Sequence, residues 1–230
     1  MEHGFSWVAT IPGLRTLPAH TATALLVMIG LLLFALRARR QIAAAADPTV
    51  PDAGITARNV AEVVTELITG LAEGVLGHEA KRYVPFFGSL FLFIVAANLV
   101  GLLPGFTPPT DNFNVTFGLG AVSFVAYNYY GVRAHGAAYL KQFVGPLLLL
   151  APLMVVVEGF SHLFRPASLA IRLYGNMFAD HLLLGIFTDL TKVLVPVVFY
   201  VLGTFVSLVQ ALVFTLLTMV YVGLAISHEH

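Results

Sequence analysis

Cysteine is missing from the 230 residues, tryptophan occurs once, and only 10% of the side chains are Asp, Glu, Lys or Arg. The first absence rules out disulfides, thiolate nucleophiles and Cys-ligated metals together. The scarcity of charge says more, because soluble domains carry roughly 25% charged residues. The 12 basic and 12 acidic residues balance, and no basic cluster is interleaved with aromatics, so a nucleic-acid partner is not expected. Catalytic motifs are wanting too. There is no Gly-x-x-x-x-Gly-Lys-Ser/Thr phosphate loop, no His-Glu-x-x-His and no convincing Ser/His/Asp set on a soluble domain, so no catalytic site, metal or cofactor is expected in this chain. Gly70 and Gly74 form a Gly-x-x-x-Gly that reads as close packing, and Asn114-Val-Thr116 matches a glycosylation sequon as easily by chance. An internal or inverted repeat is also lacking, which tells against a secondary transporter.

What fills the chain is hydrocarbon: 58% of residues are hydrophobic, against roughly 45–50% in soluble domains. An all-α integral membrane protein follows, read as a single membrane domain over 1–230 with five membrane helices and one amphipathic surface helix. Apolar runs near 20 residues mark the spans. The first covers 21–37 and stops at Arg37, Arg39 and Arg40; residues 1–20, with Glu2 and His3 in place of a basic flank, read as an external N-terminus before an uncleaved anchor. Residues 57–80 place Val60, Val64, Leu67, Ile68 and Leu71 at helical spacing opposite Glu62, Glu66, Thr69 and Glu73, the pattern of a helix lying on the cytoplasmic membrane surface or against a partner. Pro85 opens a second span over 86–104, and a third covers 114–132. Two longer pieces, 145–187 and 192–226, exceed an upright crossing and are expected to form a tilted hairpin. Pro152 and Pro166 mark bend points in the first, and Pro196 lies near the start of the second.

With the N-terminus outside, Arg37, Arg39, Arg40, Arg58, Lys81, Arg82, Arg133 and Lys141 fall on the cytoplasmic side and Arg15 and Lys192 outside, with the C-terminus inside. Arg165 and Arg172 belong to neither set. A charged side chain at the bilayer centre costs roughly 3 to more than 10 kcal/mol, so such residues face a partner, a water path or a transported ion. Arg172 is therefore the first place to look for function. Ser168, Arg172 and Asn176 recur at i, i+4 and i+8 as a narrow polar stripe. The last helix offers Gln210 with Ser207, Thr204 and Gly203, and Gln210 is expected to accept hydrogen bonds from Arg172. The plainer reading is that these groups glue helices together, but glue does not require a permanent charge. Glu158, in an apolar stretch, suits a proton relay if water reaches it. Asp180 and His181 are adjacent and so point to different sides of a helix; His181 suits proton exchange near neutral pH, whereas Asp180 also fits a wet helix end. His135, His162, His228 and His230 read as interface or solvent residues.

Four segments, taken in order, resemble subunit a of rotary F-type ATP synthases: Asn98-Leu-Val-Gly-Leu-Leu-Pro104, Asn112-Phe-Asn-Val-Thr116, Arg165-Pro-Ala-Ser168 leading into Arg172-Leu-Tyr-Gly-Asn176-Met, and the Gln210 to Tyr221 ending. The resemblance covers nearly the whole chain. It implies a stator subunit in a bacterial inner membrane, beside a ring of carboxylate-bearing c subunits and b-type peripheral-stalk subunits, with two offset aqueous half-channels. It implies that Arg172 is the family's essential arginine, acting as a fixed electrostatic gate because it does not deprotonate. Gln210, Asn176 and Ser168 match its neighbours, and Glu158 matches an acidic half-channel position. Two positions depart: many bacterial members have Glu at His181 and His or Glu at Gly203. The inlet route is then expected to run through His181, Asp180, Glu158 and water, with His181→Ala slowing flux more than Asp180→Ala. The competing readings are an ion-coupled carrier whose own helices enclose Arg172 around an anionic solute, and a purely structural membrane-assembly subunit.

Overall fold

Six α-helices carry the chain: α1 (Ala19–Ala44), α2 (Ala57–Leu76), α3 (Val84–Val100), α4 (Phe113–His135), α5 (Ala151–Leu190) and α6 (Leu194–Ile226). The computed structural model describes residues 7–10, 16–45, 47, 50, 52–136, 139, 151–191 and 194–227, and no strand occurs among them. The chain is all-helical over the described residues, and the helix ends differ from those expected. The helix of the first span runs on past Arg37 to Ala44, because no helix breaker interrupts the basic segment. The start of the expected 145–187 piece lies partly outside the described residues, and its helix continues to Leu190.

Helix α2 starts where its sequence says it should. Thr56 caps it, accepting from the Asn59 amide at 3.2 Å, and the Thr56 hydroxyl donates to Asp52 at 2.9 Å. Arg58, assigned from sequence to the cytoplasmic side, is only 1% exposed. Its Nε donates to Glu62 at 2.6 Å, NH2 donates to the Val50 carbonyl at 2.9 Å, and Asp52 stands 3.4 Å from NH1. Its backbone amide donates to Gln41 of α1 at 2.9 Å. A buried cation persists because it is paired, so this cluster stitches the loop and α2 to the end of α1. Beyond a 3-10 turn, Gly77–Arg82, the chain bends by 120° into α3, and Pro85 occupies the first turn of that helix, where its missing N–H is not needed.

α1 and α6 are each long and apolar enough to cross a membrane, and α2 with α3 would together pass as one bent span. The core is built where α6 is met by its neighbours. Phe87, Leu90 and Ile94 of α3, Tyr127 of α4, Leu169, Leu173 and Met177 of α5, and Ala211, Phe214, Met219 and Val222 of α6 form one buried cluster, with Ile68 and Ala72 of α2 added at its edge. The first half of α6 is different: Val197, Val198, Val201, Leu202 and Phe205 are exposed.

α5 is one helix with Pro166 inside it. Proline removes the N–H that would bond the carbonyl four residues earlier, that of His162. Tyr127 of α4 donates its hydroxyl to that carbonyl at 3.3 Å, the kind of replacement partner a proline needs inside a membrane helix. The two helices approach closely here, since a Cβ on Gly120 would stand 2.6 Å from the Pro166 carbonyl oxygen.

Candidate functional site

α5 and α6 run antiparallel, and three contacts set their register. The Arg165 guanidinium sits 5.5 Å from the centre of the Tyr221 ring, Asn176 Nδ2 donates to Gln210 Oε1 at 2.6 Å, and the rings of Phe187 and Phe199 stack at 4.4 Å. The pairs step by eleven residues up α5 and by eleven down α6. Eleven residues in three turns is about 3.67 per turn, close enough to the helical period to keep one face in contact along the whole hairpin.

Leu169, Leu173 and Met177 are the buried stripe of α5. The stripe one residue earlier, Ser168, Arg172 and Asn176, is turned by about 100° from it and is exposed at all three positions. Phe164, Ile171 and Phe178 flank it and are exposed as well. Arg172 makes no hydrogen bond or ion pair among the described residues. It therefore departs from the expected bond to Gln210, whose acceptor oxygen is taken by Asn176. Asn176 thus ties α5 to α6 beside the arginine; it does not hold the guanidinium.

Behind the stripe the interior is polar and incompletely satisfied. Gln210 is 4% exposed and Ser207 1%, and both Gln210 Nε2 and Ser207 Oγ are buried without a hydrogen-bond partner. Thr204, expected on the same side, is exposed and donates to the Tyr200 carbonyl at 2.8 Å. Toward the 191 end of the hairpin, Asp180 and His181 diverge as adjacent helical residues must. Asp180 faces α6, and a Cβ on Gly203 would lie 2.6 Å from its Oδ2. The glycine and the aspartate are therefore complementary: the carboxylate occupies the room that a side chain at 203 would need. His181 turns to the 3-10 turn before α4, Pro109–Asp111, where its Nδ1 is 3.2 Å from Asp111 Oδ2.

Glu158 lies toward the other end of α5, half-buried and well apart from these groups. Four residues on, His162 Nε2 is 2.9 Å from Asn128 Oδ1, which also accepts from the Tyr139 hydroxyl at 3.2 Å. His162 is thus an interface residue of α4 and α5, as expected. Tyr139 follows α4, and burial pushes its phenol up from the ordinary value.

Sequence reasoning passed over Asp111 and the buried bonds around it. Thr110 donates to Asn98 Oδ1 at 2.7 Å, and Asn98 Nδ2 donates to the Ser207 carbonyl at 3.3 Å. Asn112 caps α4 by accepting from the Asn114 amide at 3.0 Å. The available signal was that Asn98 and Asn112 open two of the recognised segments; the pairing of Asp111 with His181, 70 positions apart, has no local trace. Two surface grooves, about 580 Å³ along Glu62, Glu66, Gly70 and Glu73 and about 440 Å³ between Phe86 and Tyr129, lie away from this site.

The profile of the family described as ATP synthase A chain matches residues 20–223. A protein named ATP synthase subunit a from Bdellovibrio bacteriovorus is 45% identical over 227 residues, covering 98% of this chain and 99% of that one. Proteins of the same name from Solibacter usitatus and Citrifermentans bemidjiense are 45% identical over 181 residues, 78% of both chains, and 40% identical over 205 residues, 89% of this chain and 86% of that one. With a match this long and an arginine stripe turned outward between membrane helices, the chain belongs to the ATP synthase A chain family.

Proposed function

We propose that this chain is the stator proton-channel subunit of an F-type ATP synthase and that the exposed Ser168–Arg172–Asn176 stripe faces a ring of carboxylate-bearing c subunits. The observation that carries this reading is Arg172 itself: an exposed guanidinium, unpaired among the described residues, beside exposed Phe164, Ile171 and Phe178. An unpaired charge on an apolar face requires a counter-charge from outside. A carboxylate on a passing helix supplies it. The guanidinium stays protonated throughout, so it attracts the ring acid once that acid has released its proton and blocks direct passage between the two sides.

Two routes would bring protons to and from that point. With about 1.5 Å of rise per residue, His181 lies about 14 Å from Arg172 along α5 and Glu158 about 21 Å in the opposite direction. The inlet would use His181, Asp180, Ser207, Gln210 and Asn176. Unpartnered buried groups such as Gln210 Nε2 and Ser207 Oγ are where internal water is held. The outlet, and not the inlet expected from sequence, would use Glu158, because it lies on the far side of Arg172 from His181. Residues 21–37, 86–104, 114–132, 145–187 and 192–226 would then cross the membrane, with 57–80 on the cytoplasmic surface, 1–20 outside, the C-terminus inside a bacterial cell, and b-type stalk subunits alongside. A carrier would enclose its arginine, and the outward stripe argues for the rotary role. The test is ATP-driven proton pumping by the assembled complex in vesicles. Arg172→Ala is expected to abolish it while the c subunits still copurify; undiminished pumping would overturn the proposal.

A further inference from the structure

We infer that Asp111 is a positioning residue for the inlet, a fixed anion that orients His181 and holds it ready to take up a proton, and that the loop bearing it is built for this purpose. The inference rests on the stator reading above. His181 Nδ1 and Asp111 Oδ2 are 3.2 Å apart, the His181 side chain is 38% exposed and the Asp111 side chain 19%. An Nδ1–H donated to Asp111 leaves Nε2 as the basic nitrogen. A proton from outside would bind Nε2, giving an imidazolium beside an ionised carboxylate, and would leave from Nε2 toward Asp180 or water, returning the ring to neutral.

Three further features support the assignment. Among the described residues, Asp111 Oδ1 is buried without a hydrogen-bond partner, and His181 is the carboxylate's only ion-pair partner. The turn does not depend on that pair for its place. The Ser207 carbonyl, Asn98 and Thr110 form a buried chain from α6 through α3 to the residue before Asp111. Among the described side chains, the remaining ionisable groups of the elements packed at this end are Asp180 on α5, Tyr174 on the same helix against Phe113, His20 in the first turn of α1 and Tyr200 on α6.

The experiment uses the assembled complex in vesicles, with rates normalised to the assembled c-ring, and measures proton uptake against pH on the inlet side. An amide in place of the carboxylate neither fixes the Nδ1–H of the ring nor carries the charge beside it, so Asp111→Asn is expected to lower uptake severalfold and to shift its pH midpoint. Asp111→Glu should recover most of both, and Asp111→Asn added to His181→Gln should have no further effect. Asp111→Asn with an unchanged pH midpoint would overturn the inference, whether the rate falls or not, because a merely structural contact alters amount and not titration. If Arg172→Ala, run in parallel, pumped normally, the stator reading itself would fail; an inactive Arg172→Ala with a wild-type Asp111→Asn profile would remove Asp111 alone.

Discussion

Two arginines sit seven residues apart on α5 and live in opposite surroundings. Arg165 is half-buried, lies over the Tyr221 ring, and stands where α4, α5 and α6 meet beside His162 and Asn128. Arg172 is exposed and unpaired, with its neighbouring amides bonded to each other. One charge is absorbed by its own subunit and the other is withheld from it. The hairpin follows the same division. At its 226 end the polar groups are closed in, Arg165 over the Tyr221 ring and His162 between Tyr127 and Asn128, whereas Ser207 Oγ and Gln210 Nε2, nearer its 191 end, are buried without a partner among the described residues; exposed apolar side chains line both halves. A membrane charge answered at home contributes to packing; one left unanswered defines where a partner must come.

The sharpest way to break this contrast is to remove each charge in turn. Arg172→Ala should reduce ATP-driven pumping to background, while Arg165→Ala should cost about two- to fivefold, in keeping with a cation–π contact of about 0.5–1 kcal/mol. Comparable losses in acidification of inverted vesicles would erase the distinction between them.

Next in size is the fit of Asp180 to Gly203. A methyl at 203 would meet Asp180 Oδ2 at 2.6 Å and Leu102 Cδ2 at 3.0 Å, so Gly203→Ala should slow proton flux severalfold. Asp180→Gly added to Gly203→Ala should return packing but not flux, if the carboxylate itself carries protons. Recovery of flux in the double variant would make Asp180 a spacer only. Because Asp180 faces α6 and His181 faces Asp111, both lie on the proposed route, and the difference expected from sequence between their alanine variants narrows.

The amide pair beside Arg172 should matter less. Asn176→Leu removes a 2.6 Å bond and leaves Gln210 Oε1 as well as Nε2 unpartnered. A buried hydrogen bond contributes about 0.5–1.5 kcal/mol, so pumping should fall about three- to tenfold. Gln210→Leu alone and the double variant should match it. Additive losses would show that Gln210 acts independently of Asn176.

Much of this was legible beforehand because membrane helices are written in long, local patterns. The six helices and the antiparallel hairpin follow from apolar runs and a period of about 3.6 residues, which also sets Ser168, Arg172 and Asn176 on one stripe; that the stripe turns outward was expected from the family resemblance alone. What escaped depends on which elements meet. Arg58 reads as one more cytoplasmic charge until Asp52, Glu62 and Gln41 close around it. Asp111 reads as loop composition until the turn is pinned by Asn98 and delivered to His181. The bond drawn from Arg172 to Gln210 failed for a related reason: a shared helix face does not say which of two donors an amide oxygen will accept, and Asn176 is the nearer claimant.

The smallest effect comes from the closed end and tests why it is closed. Pro166 leaves the His162 carbonyl without its helical donor, and the Tyr127 hydroxyl fills the place at 3.3 Å. Tyr127→Phe should therefore destabilise by about 0.6–1.7 kcal/mol, the range found for polar contacts between membrane helices, seen as a modest fall in the melting temperature of the detergent-solubilised complex with little change in pumping. Pro166→Ala restores an N–H that can bond that carbonyl within α5, so Tyr127→Phe placed on Pro166→Ala should cost less than it does on wild type. An equal cost in both backgrounds would mean that the tyrosine stabilises through its ring against His162 and Tyr221 and that the proline's carbonyl finds its donor elsewhere.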